Sequence, residues 1–239
     1  MVLKNILFLF IILSGSLQAQ MFSVGGESDT QRRGGSSNYF KIGYTAVDFS
    51  FKGNSNLVIE QNRLDFNTPA ITIGFDSPSL YASLSFINKF TGAEDERYLK
   101  FSINYINRLA FVRKRSFQLG VPLSLNSNLV SVQNEQQNND FGQTVFGIGL
   151  GAFTSVTIPE KLILFIEGVP SYGFSNSNGG LFGGSNKSII ARARLNFLSV
   201  FPSRNLSLGY DYKLSSYDLD DDEFDYDLTY HLITLGISF

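Results

Sequence analysis

The sequence predicts an all-β chain: an antiparallel, up-and-down transmembrane β-barrel of about ten strands, with eight or twelve as the neighbouring counts. Three observations carry this expectation. Apolar residues recur at every second position in almost every segment after Tyr39. The segments are joined by short turns and long polar loops in strict alternation. The chain stops on an aromatic residue, Phe239, with apolar residues at 233, 235 and 237.

The elements follow in order. Residues 1–19 read as a secretory signal peptide. Lys4 supplies the positive end, and Ile6 to Leu13 form an apolar run of eight residues. That run is far below the roughly 20 residues a membrane-spanning helix needs. Ser14 to Ala19 are small and polar, which places cleavage near Ala19. Residues 20–38 hold Gly25-Gly26, Arg32-Arg33-Gly34-Gly35 and Ser36-Ser37-Asn38 with no periodicity. They read as a flexible N-terminal tail that either links or enters the barrel mouth.

From 39 to 239 the chain reads as one transmembrane barrel. The clearest strand places Phe117, Leu119, Val121, Leu123 and Leu125 against Gln118, Gly120, Pro122 and Ser124. Phe101, Ile103 and Tyr105 alternate with Lys100, Ser102 and Asn104. Ile189, Ala191, Ala193 and Leu195 alternate with Arg192, Arg194 and Asn196. Leu206, Leu208, Tyr210 and Tyr212 alternate with Ser207, Gly209, Asp211 and Lys213. Successive strand side chains point to opposite faces, so each segment has one apolar and one polar or small face. The expected strands are 39–51, 66–76, 80–90, 98–111, 117–132, 143–158, 162–174, 188–200, 205–216 and 226–239. Short turns fall at Asp76-Ser77-Pro78-Ser79, Arg113 to Ser116, Pro159 to Lys161 and Pro202 to Arg204. Long loops fall near 52–67, 91–97, 133–142, 175–187 and 217–225. In the first of these, Leu57 to Ile59 and Leu64 to Phe66 either extend the second strand or form a small extra hairpin.

Composition removes other classes. There is no Cys, no Trp and one His in 239 residues. Disulfide scaffolds, Cys-ligated metals and His-pair metal sites are excluded. The net charge of −2 gives no basic footprint for nucleic acid. A mean hydropathy of +0.02 is too low for a helical membrane bundle. A soluble β-sandwich or lipocalin-like barrel would also alternate, so the loop pattern and the chain's end decide for the membrane. With no Trp, interfacial girdles must be built from Tyr and Phe, and Tyr44, Tyr105, Tyr210 and Tyr212 are candidates.

The last residues, Leu232-Ile233-Thr234-Leu235-Gly236-Ile237-Ser238-Phe239, resemble the C-terminal β-signal of bacterial outer-membrane proteins. With the export signal and the alternating segments, the chain resembles the small outer-membrane β-barrel family along its whole mature length. The resemblance implies a bacterial outer-membrane location and assembly by the barrel-assembly machinery through Ile233, Leu235, Ile237 and Phe239. Outer-membrane lipids are the expected surroundings, the chain is expected to be a monomer, and a surface partner would meet its external loops.

Chemistry is sought on the inward faces. Glu167, Arg192, Arg194, Asp211 and Lys213 share inward positions on neighbouring strands and would form a lumen charge network at a common height. One reading is a plug, because narrow barrels fill their interior with side chains. The other is the selectivity ring of a small porin-like channel. Gly147, Gly149 and Gly151 share one face and would leave space for large neighbours or a passage. The acidic run from Asp218 to Asp227 reads as a solvated loop, with weak divalent-cation binding as the sharper alternative. His231 falls on the outward set near an interface. The omptin proteases need an Asp two residues from their His, and residue 229 is Thr; the deacylase pattern needs Ser at 233, which is Ile. No catalytic, cofactor-binding or metal residues are therefore expected, and no enzyme.

Overall fold

The computed structural model describes residues 38–52, 64–88, 96–134, 139–158, 161–177, 184–202, 204–219 and 225–239. The expected signal peptide, the tail up to 37 and the Leu57 to Ile59 segment lie outside the described residues. Every described element is a strand. They are β1 (Tyr39–Phe51), β2 (Phe66–Asp76), β3 (Leu80–Ile87), β4 (Glu96–Lys114), β5 (Phe117–Asn134), β6 (Asn139–Leu150), β7 (Ala152–Ile158), β8 (Leu162–Ser177), β9 (Gly184–Phe201), β10 (Arg204–Leu219) and β11 (Tyr226–Ser238).

Apart from β6 and β7, strands consecutive in sequence pair antiparallel, and β1 closes onto β11 from Tyr39↔Ser238 to Phe51↔Tyr226. β6 and β7 share one place between β5 and β8, separated only at Gly151. The eleven strand segments therefore make a closed barrel of ten strand positions. Closure matters because an open edge in hydrocarbon would strand amide groups at several kcal/mol each.

The expected β1 and β2 spans coincide with those observed, and the strand expected at 143–158 is the β6–β7 pair. The main difference is at the loop end. β5, β8, β9 and β10 run two to four residues further than the alternation suggested. Polar residues there still pair, as in Gln133↔Asp140 and Ser175↔Gly184, because a sheet ladder needs only backbone groups. Register slips at Ala110/Val112 and Arg204/Leu206 mark bulges beside two of the short turns.

The outer face is apolar and exposed. In β11, Ile233 is 56% exposed and Leu235 57%, and Phe239 just after it is 67% exposed. The flanking strands continue this belt with Phe40, Ile42 and Leu208, and β5 and β6 carry it on with Leu123 and Ile148. From His231 to Phe239 the strand advances eight residues, which at about 3.3 Å each and a tilt near 40° rises about 20 Å. That approaches the roughly 25 Å apolar band of membrane barrels. Tyr44, Tyr105 and Tyr210 are exposed on this face, as the girdle requires.

Candidate functional site: the barrel lumen

Inward residues fill the lumen in layers. Nearest the short turns, Ile106, Phe153 and Ile163 are buried. Above them lies the charged layer. β8 and β9 pair with Glu167 directly opposite Arg192. The Arg192 guanidinium donates to Glu167 Oε1 at 2.7 Å, and Arg108 Nε from β4 donates to Oε2 at 2.7 Å. Glu167 is therefore clamped between two guanidinium groups with its side chain fully buried. Arg108 also donates to the Tyr81 hydroxyl at 2.7 Å. Arg194 grips Asp211 through both of its terminal nitrogens, one bond being 2.9 Å. Its Nε approaches Asp76 Oδ2 at 3.5 Å, and Asp76 is ion-paired to Lys41. An arginine fork matches both oxygens of a carboxylate, which fixes orientation as well as charge.

Four of the five expected residues are thus ion-paired in the lumen, in two clusters: Glu167 with Arg192, and Arg194 with Asp211. Lys213 shares the lumen but meets an amide instead, donating to Asn128 Oδ1 at 3.3 Å. Sequence reasoning missed Lys41, Asp76 and Arg108. Asp76 reads as a turn residue, and its partner Arg194 lies 118 residues away. Lys41 and Arg108 obey the same inward parity as Lys100 in their strands, which is the signal that could have found them.

Gly209 shows why small residues alternate with these cations. It registers with both Arg194 and Thr234, and a side chain there would collide with Thr234 Oγ1 and the Arg194 Cδ. The glycine leaves the arginine a path across the lumen. Gly147 and Gly149 do face inward, but the space is taken: a Cβ would meet Asn126 Oδ1 and Val169 Cγ1, each at 2.8 Å. They open no passage.

Bordering the charged layer is a cavity of about 70 Å³ walled by Ser, Thr and Asn side chains together with Lys41, Asp76, Arg192, Arg194, Asp211 and Lys213. A chain of hydroxyls, Thr45 to Thr72 to Ser85, crosses β1 to β3, and Thr72 borders the cavity. Over it, at the loop end, sits an aromatic cluster that the sequence reading did not foresee. Phe49 is fully buried and stacks on Phe66 (centroids 5.6 Å) and Tyr226 (4.7 Å). Phe141 packs on Phe49 at 5.1 Å and on Tyr217 at 5.7 Å, and Tyr98 reaches Phe66 at 6.0 Å. Val47, Val130, Val132, Leu219 and Leu228 complete it. The sequence signal is a switch of parity. In β1 the apolar set moves from Phe40, Ile42 and Tyr44 to Val47, Phe49 and Phe51. β5, β10 and β11 switch likewise, at Val130, Tyr217 and Leu228. The switch marks where the membrane belt ends outside and the plug begins inside.

Other expected sites lie off the lumen. His231 is exposed on the outer face, where its Nδ1 hydrogen-bonds the Tyr210 hydroxyl at 2.8 Å. Residues 220–224 of the acidic run lie outside the described residues; Asp225 caps the neighbouring backbone, its carboxylate accepting from Leu219 N at 2.7 Å. Ile233, Leu235, Ile237 and Phe239 all face outward on the closing strand.

The architecture is that of an outer-membrane β-barrel: closed, antiparallel, apolar outside and polar within. No protein-family model matches the chain, and no curated protein matches it. Among solved structures, Neisserial surface protein A aligns at 12% identity and TM-score 0.35, covering 86% of this chain and 97% of that one. Ail, the attachment invasion locus protein of Yersinia pestis, aligns at 14% identity and TM-score 0.25, covering 86% and 100%. The translocator domain of autotransporter NalP from Neisseria meningitidis aligns at 12% identity and TM-score 0.34, covering 88% and 91%. These are distant likenesses, and the fold rests on the strand registers themselves.

Proposed function

We propose that the protein is a monomeric barrel of the bacterial outer membrane whose lumen is closed by its own side chains. Its role is then structural, or is exercised through the external loops that meet a surface partner. The observation that carries this is the layered filling: an aromatic plug at the loop end and cross-lumen ion pairs beneath it. A selectivity ring would present its charges to water, whereas Glu167 and Arg192 are spent on each other. The outward row Ile233, Leu235, Ile237 and Phe239 serves in the membrane as lipid contact and, during biogenesis, as the strand read by the barrel-assembly machinery. No step of this reading calls for enzyme chemistry or a cofactor.

A second reading, a small passive channel, is favoured by the polar cavity of about 70 Å³ between the two closures. Ion conductance of the refolded protein in a planar bilayer separates the two. A silent membrane, with folding shown in parallel by heat-modifiable gel migration, supports the closed barrel. Stable unitary currents altered by Arg192→Ala or Arg194→Ala would establish the channel.

A further inference from the structure

The charges inside the barrel do not balance. Among the residues whose side chains are described, the lumen holds three carboxylates, Asp76, Glu167 and Asp211, against six side chains of the basic residues Lys and Arg. The carboxylates are all used by Lys41, Arg108, Arg192 and Arg194. Lys100 and Lys213 remain. Lys100 is 4% exposed and its ammonium lies over the Tyr230 ring at 3.7 Å. Lys213 is 8% exposed and has a single long bond to Asn128 Oδ1. Neither has a carboxylate within ion-pair distance among the described residues. Burying a charge without an opposite charge is expensive, so each of these lysines must either give up its proton or take a counter-ion.

The place for one is already built. Lys213 borders the cavity, and so does Ser102, which registers with Asn128 across β4 and β5. Lys100 is the next inward residue of β4, toward the loop end from Ser102. The Ser102 hydroxyl is buried and has no hydrogen-bond partner, so it is a free donor at the same level. A water occupies about 10–15 Å³ on the same measure. The cavity therefore has room for a halide or a tetrahedral oxyanion with some of its hydration.

We infer that the lumen holds a small inorganic anion between Lys213 and Ser102, beneath the aromatic cluster, with Lys100 one inward position further along β4. The ion neutralises the two lysines that the protein's own carboxylates leave over, and its polar neighbours replace its hydration shell. The inference needs only the lumen geometry and goes beyond the choice between closed barrel and channel.

Bromide is the probe. The full refolded chain is crystallised with bromide as the sole halide, and anomalous scattering is measured at the bromine edge. The expected result is a peak within about 3.5 Å of the Lys213 Nζ, at hydrogen-bond range. In parallel, urea unfolding midpoints in detergent micelles are compared in sodium bromide and sodium gluconate at equal ionic strength, gluconate being too large for the cavity. The midpoint is expected to rise with bromide in the wild type, to keep rising in Lys213→Arg, and to lose at least three-quarters of the rise in Lys213→Met. The anomalous measurement needs no variant, so it decides alone if Lys213→Met does not refold. Absence of a lumen peak, or equal midpoints in the two salts, would overturn the inference.

Discussion

Replacing Glu167 with Gln removes one charge and almost no volume from the most enclosed ion cluster of the barrel. Both carboxylate oxygens are used, each by a guanidinium at 2.7 Å, and the side chain has no exposure. Gln can still accept from Arg192. Its amide nitrogen would then face the Arg108 Nε–H, donor against donor. Two guanidinium groups also lose their shared counter-charge. Removing one member of a buried ion pair costs about 3–5 kcal/mol. A charge-assisted hydrogen bond is worth about 1.5–3 kcal/mol, so two of them reach the same range. At a urea slope of about 2–3 kcal/mol per molar, the midpoint should fall by roughly 1–2.5 M. With no Trp in the chain, the assay is the folded fraction in lipid vesicles across a urea series, read by unheated gel migration and by far-ultraviolet circular dichroism. The double variant with Arg192→Gln is expected to lose less than the sum of the two single changes, because the stranded charge is removed with its partner. A loss below about 1 kcal/mol for Glu167→Gln would refute the reasoning, since that is the scale of a solvent-exposed pair.

Further expectations follow from other layers. Phe49→Ala, at the centre of the aromatic cluster, should destabilise by about 3–5 kcal/mol and admit transient ion currents in a planar bilayer where the wild type is silent. Gly209→Val should displace Arg194 from Asp211 and cost about 1–3 kcal/mol by overpacking, measured as a urea midpoint; a neutral result would show that the arginine has another path. Leu235→Arg on the outer face should cost about 2–4 kcal/mol in a bilayer and far less in a short-chain detergent, and equal costs in both would argue against a lipid-facing position. His231→Ala should change stability by no more than about 0.5–1 kcal/mol, the value of its one exposed bond to Tyr210, as judged by the same unfolding series.

How much of this was legible depended on range along the chain. Period-two patterning is local, so Phe117 to Leu125 declared a strand and its outward face without any partner. Glu167 and Arg192 were also within reach, because they lie on inward positions of consecutive strands, β8 and β9, which pair with one another. Lys41 and Asp76 sit on the adjacent β1 and β2, yet their meeting with Arg194 depends on closure of β1 onto β11 and on the width of the lumen. No local rule supplies that distance. The aromatic cluster is the instructive case. Val47, Phe49, Val130 and Leu228 break the outward parity of their own strands, and that break was visible. Its meaning was not, since apolar residues on both faces also describe a strand buried on two sides. Only the closed barrel assigns one face to lipid and the other to a plug.

The claim that the lumen is closed at the loop end can be measured at one atom. The native chain has no Cys, so Ser102→Cys introduces a single thiol on the cavity wall at little steric cost. A membrane-impermeant maleimide is added to vesicles with the loop end outward, and the labelling rate is compared with that of Ser216→Cys, an exposed position on β10 near the loop end. The closed lumen requires labelling at residue 102 to be at least a hundredfold slower than at residue 216, and to accelerate when Phe49→Ala is added. Equal rates at the two positions in the otherwise native chain would contradict it.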